Sequence, residues 1–130
     1  MLDNTKAYSG FAVDDLDNAR EFYGEKLGLR VSILDEENGV MQLDLAGGER
    51  PTIVYQKPDL QTGNYTILNF QVDDVGSAVD ELTARGVEFE RYDGFEQDEK
   101  GIARGPGPTI AWFKDPAGNI LSVVDEGPGS

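Results

Sequence analysis

Two carboxylate pairs, Asp14-Asp15 and Asp73-Asp74, sit inside the same phrase written twice: FAVDDLDNARE from Phe11 and FQVDDVGSAVD from Phe70. Adjacent carboxylates can trade protons as general acid and base. At the start of a helix they have a plainer use, because a carboxylate there accepts from the unpaired first-turn amides. Both pairs precede apolar residues at helical spacing, so they read as caps. Glu36-Glu37 reads as a turn. The chain has no histidine and no cysteine. That removes Ser–His and Cys–His nucleophilic pairs and any two-histidine, one-carboxylate metal site. The lysines, at 6, 26, 57, 100 and 114, read as surface residues. GIARGPGPT at 101–109 is glycine-rich but lacks the GK[ST] of a phosphate-binding loop. It reads as a loop or as a lid over a site, with Arg104 able to meet an anion. Asn69, two residues beyond Ile67 and so expected on the same strand face, is a polar side chain within an apolar strand pattern and needs a partner or a ligand. Trp112, the single tryptophan, neighbours Phe113 in a strand. One of the two faces a site and the other a helix, and alternation alone leaves open which.

These residues need a scaffold, and the length of 130 residues suits one domain. The net charge of −14 excludes affinity for nucleic-acid phosphates and for anionic membranes. It fits either a solvated acidic surface or a field that draws cationic ligands. No apolar run reaches a membrane span, and MLDNTKAYSG has no signal pattern. The expected location is cytoplasmic.

Strands are predicted over 7–13, 29–35, 39–45 and 52–57, with a helix over 16–27 closed by Gly28. The second half predicts a strand over 65–72, a helix over 75–85 closed by Gly86, and strands over 87–92, 110–114 and 120–125. DPAGN at 115–119 is a strong hairpin signal. The fold expected is α+β: two tandem β-α-β-β-β modules, 5–58 and 65–126, joined by a linker at 59–64 within one domain, 1–126. Residues 127–130 are expected to form a flexible tail. The two sheets would make a curved trough with helices outside. The repeat slips once. Phe11 and Phe70 are 59 positions apart, whereas Gly28 and Gly86 are 58 apart.

FAVDDLDNAREFYGEKLGL, FQVDDVGSAVDELTARGVEF and WFKDPAGNILSVVDE together resemble the vicinal oxygen chelate superfamily, which includes glyoxalase I, bleomycin-resistance proteins and extradiol dioxygenases. The resemblance spans nearly the whole chain. It implies a divalent metal in the trough, held by His, Gln or Glu. The corresponding positions here are Tyr8, Thr52 or Val54, Ile67 and Ser122. Those side chains are poor donors or none, so no metal and no other cofactor is expected.

The function expected is binding of a small organic ligand, possibly cationic or antibiotic-like, in the trough between the modules, by a metal-free relative of glyoxalases and bleomycin-resistance proteins. The ligand-binding residues expected are Tyr8, Tyr55, Ile67, Asn69, Arg104, Trp112 and Ser122. The alternative is a lyase or dioxygenase-type enzyme with an atypical metal site or metal-free acid–base chemistry. No residue is assigned a catalytic role. The resemblance also implies a homodimer.

Overall fold

A computed structural model describes residues 1–105 and 107–125. The chain divides into two compact units, Met1–Gln61 and Thr62–Ser130. The tail expected at 127–130 lies outside the described residues.

The first unit runs β1 (Gly10–Val13), α1 (Leu16–Glu21), a π-helical turn (Phe22–Lys26), β2 (Arg30–Asp35), β3 (Val40–Asp44) and β4 (Thr52–Gln56). Its sheet has the order β1-β4-β3-β2, with β1 parallel to β4 and the other pairs antiparallel. β1 is shorter than predicted because its ladder begins at Gly10, opposite Ile53. The approach there is close: a Cβ on Gly10 would lie 2.9 Å from the Ile53 carbonyl oxygen. Side chains alternate, and Phe11, Val54 and Met41 form one row of the sheet. The Phe11 ring meets Tyr23 of the π turn at 5.7 Å. Val54, Met41 and Leu43 are completely buried on this helix-facing side.

The π turn explains the slipped repeat. In the first unit the Leu27 amide donates to the Phe22 carbonyl, a five-residue reach. A π turn absorbs one extra residue without ending the helix. The first copy carries one more residue between its cap and its glycine than the second does. The predicted helix over 16–27 is therefore six α-helical residues followed by a π turn.

The second unit runs β5 (Thr66–Gln71), α2 (Val75–Ala84), β6 (Ile110–Lys114) and β7 (Ile120–Val124). Its sheet is β5-β7-β6. β7 lies in the middle and all five of its residues are buried. α2 packs on β6 and β7 and buries Val75 and Val79.

Both helices start alike. The Asp15 carboxylate accepts from the Asn18 amide at 2.9 Å, and Asp74 accepts from the Ser77 amide at 3.3 Å. The second aspartate of each pair is thus the cap. Gly28 and Gly86 follow at φ +73° and +93°, where a side chain would be strained. The DPAGN hairpin is closed by Asp115. Its two carboxylate oxygens accept from the Asn119 backbone and side-chain amides at 2.9 and 3.0 Å.

One predicted element is missing. Residues 87–92 form no strand, and the second unit is β-α-β-β rather than β-α-β-β-β. Phe89 makes an isolated bridge to Phe113, and the Glu90 amide still reaches the Trp112 carbonyl at 2.8 Å. Beyond that point Gln97 takes over. Its amide accepts from the Tyr92 amide at 2.8 Å and donates to the Glu90 and Gly101 carbonyls at 2.9 and 2.8 Å. One side chain thereby satisfies backbone groups that a strand would have paired.

Candidate functional site

The β5-β7-β6 register decides which side chains meet. Asn69 lies opposite Ser122, and Ser122 lies opposite Trp112. The three form a row across the sheet on one face. Ala111, Phe113, Leu121 and Val123 alternate with them and form the other face, each no more than 3% exposed. Phe113 is therefore the partner on the α2 side, and Trp112 is half-buried on the opposite face.

Within the row, the Ser122 hydroxyl donates to the Asn69 carbonyl oxygen at 2.6 Å. Ser122 is fully buried. This is the partner that a polar side chain in a strand requires. Two further rings stand on Trp112: Tyr92 edge-on at 5.6 Å and Phe95 tilted at 5.0 Å. Both come from the segment that Gln97 folds back. The Tyr92 hydroxyl is buried and has no hydrogen-bond partner among the described residues. Burial, and then the nearby Glu90 carboxylate, push its phenol above its ordinary range. It stays a neutral donor at physiological pH.

The segment around these rings is pinned. The Asp98 carboxylate accepts from the Ile102 and Lys100 amides at 2.9 Å each and sits 3.4 Å from the Arg104 guanidinium. The Ile102 amide is the main reason that the Asp98 carboxyl lies below its usual range, with Lys100 and Arg104 adding to it. Ala103 bridges to Ile110 at the edge of β6. Arg104 is thus ion-paired within its own segment. Phe95, Gln97, Asp98, Ile102 and Arg104 line a hollow of about 750 Å³.

The other predicted residues are not part of that row of the second sheet. Ile67 is the extra residue of a β-bulge, because Thr66 pairs with Ile120 and Leu68 with Leu121. The bulge breaks the two-residue alternation that was expected to put Ile67 on the face of Asn69. Tyr55 belongs to the first unit, 45% exposed, on the face of its sheet that points away from Val54. Tyr8 precedes β1 and is 63% exposed. Tyr92, Phe95 and Gln97 were not singled out from the sequence. An aromatic at 92 and another at 95 in an acidic, glycine-containing stretch is too common a pattern to mark a site.

The four positions that would hold a divalent ion do not suit one. Ser122 spends its hydroxyl proton on Asn69. Thr52 shares the helix-facing side with Val54 and is buried there. Ile67 has no donor atom. Tyr8 has the Arg50 guanidinium 5.6 Å from its ring centroid, a cation where another would have to bind. Among the described residues no group of three or more Asp or Glu side chains is placed to hold an ion. Among the described residues no helix is long and apolar enough to cross a membrane.

The sequence signature of the Glyoxalase/Bleomycin resistance protein/Dioxygenase superfamily matches residues 7–123, and the chain belongs to that superfamily. Its metal-ligand positions are not retained. The chain is 28% identical over 122 residues to the "Uncharacterized protein YraH" of Bacillus subtilis (strain 168), covering 85% of this chain and 90% of that one. Among solved structures it is similar to UcmS2, with a TM-score of 0.71, 21% identity, and coverage of 94% and 100% of the two chains. It is also similar to TnmS3, an antibiotic binding protein from Streptomyces sp. CB03234, with a TM-score of 0.67, 24% identity, and coverage of 93% and 96%. These likenesses establish the α+β fold with two sheets.

Proposed function

We propose that this protein binds a small, flat organic molecule, without a bound metal, on the Trp112 face of its second sheet. The observation that carries this reading is the row Asn69–Ser122–Trp112 with Tyr92 and Phe95 on the indole. The Ser122 hydroxyl is committed to Asn69 rather than free as a nucleophile, which suits recognition rather than chemistry. Aromatic faces attract flat rings and cations. The charge of −14 raises the local concentration of cations. A cationic, antibiotic-like ligand therefore fits best. The antibiotic-binding description of TnmS3 supports the same reading. The unpartnered Tyr92 hydroxyl supports a ligand that also carries a hydrogen-bond acceptor. We include a homodimer in the proposal, on the strength of family membership, and sedimentation velocity tests it.

Trp112 is the only tryptophan, so its fluorescence reports on the site directly. A panel of aromatic cations should include compounds that quench it saturably and raise the melting temperature. Trp112→Phe should weaken that binding while keeping the fold. Flat titrations across the panel overturn the reading. Elemental analysis of protein purified without chelator should find no stoichiometric Ni, Zn, Fe or Mn. A stoichiometric ion would restore the lyase or dioxygenase alternative.

A further inference from the structure

We infer a second binding site, for a small organic oxyanion, in the first unit. The residues leading into β1 and those leading into β4 border an open hollow of about 560 Å³, lined by Lys6, Tyr8, Ser9, Gly48, Glu49 and Arg50 among others. Two cationic residues line it in a chain with 25 acidic side chains. Arg20, Lys57, Arg85, Lys100, Arg104 and Lys114 each lie within ion-pair distance of a carboxylate. Lys6 and Arg50 have no such partner among the described residues. Arg30 and Arg91 also lack a carboxylate partner among the described residues, but only Lys6 and Arg50 line this hollow together.

Their surroundings specify a ligand class. The Arg50 guanidinium is held over the Tyr8 ring at 5.6 Å from its centroid. Stacking of that kind occupies a face of the guanidinium and leaves its N–H fork for a carboxylate or phosphate. Lys6 adds a second, mobile charge. The exposed Tyr8 ring gives a flat surface to the body that carries the anion. Glu49 lies in the same hollow and opposes the two cations. Local charge still favours an anion, and ordinary salt screens the distant carboxylates more than the contact pair. The class is a phosphate or carboxylate carried on a planar body. The site shares no residue with the Trp112 face, so either proposal can fail alone.

Phenyl phosphate and inorganic phosphate, titrated into isotope-labelled protein, test it by amide chemical shifts. Phenyl phosphate should shift Tyr8, Ser9, Gly48 and Arg50 saturably and bind more tightly than inorganic phosphate. Arg50→Ala should weaken both ligands about fivefold, the scale of an exposed charge pair. Tyr8→Leu should remove only the preference for the phenyl group. Glu49→Gln should tighten both ligands, and Lys57→Ala should change neither. These side chains are exposed, so the variants should fold, and the unperturbed amides verify it. No saturable shift, an unchanged affinity in Arg50→Ala, or an equal loss in Lys57→Ala overturns the inference.

Discussion

The two units begin as copies and finish differently. Each opens with a strand, a capping aspartate and a helix closed by a glycine at positive φ. Each then places its last strand beside and parallel to its first, β4 against β1 and β7 against β5. The first unit completes a fourth strand, β2, along the far edge of its sheet. The second makes only isolated bridges along the corresponding edge of β6, Phe89 to Phe113 and Ala103 to Ile110. Gln97 then draws the chain away, and this departure carries Tyr92 and Phe95 onto Trp112. The half that breaks the repeat is the half that gains an aromatic cluster. Complete pairing would have fixed the backbone of 90–92 in an edge strand and left no segment to fold over the indole.

The sharpest test separates the two neighbours on β6. Phe113 is fully buried on the α2 side, so Phe113→Ala should cost about 3–5 kcal/mol in denaturant unfolding. Trp112→Phe should cost much less stability and more ligand affinity. The reverse pattern would mean that the indole is core. Next, Gln97→Ala should cost about 2 kcal/mol, because it strands the Tyr92 amide and the Glu90 and Gly101 carbonyls. It should also shift the Trp112 emission as Phe95 and Tyr92 loosen. An unchanged spectrum would show that the segment is held by something else.

Smaller effects measure how far the repeat is conserved in energy. Asp15→Ala and Asp74→Ala should each cost about 1 kcal/mol, nearly equally, since the two caps share their geometry. The acid limb of stability should carry the signature of Asp98. Its carboxyl is depressed in the folded state, first by the Ile102 amide. Its contribution is therefore complete above the ordinary aspartate range and is lost as pH falls through the depressed value. Asp98→Asn should flatten that limb in pH-dependent unfolding. Deleting Gly24 should have the smallest effect. It removes the extra residue of the π turn and brings the first helix to the length of the second. The fold should persist with a melting temperature close to that of the parent, and the Phe22–Leu27 hydrogen bond should give way to α-helical ones.

The sequence by itself determined the repeat, both caps, both glycine stops, the DPAGN hairpin and the family. Each rests on contacts within a few residues of chain or on a spaced pattern read directly as text. It also determined that Tyr8, Ile67 and Ser122 make a poor cage for an ion, because donor chemistry is a property of residue type. Three things were decided only in three dimensions. The face taken by Trp112 follows from its register with Ser122 across a hairpin, and a one-residue slip would reverse it. Ile67 lost its expected alternation to a bulge that appears only when β5 pairs with β7. The strand expected at 87–92 had ample propensity, but strand propensity is satisfied only by a neighbour. Here the Gln97 side chain supplies those hydrogen bonds instead.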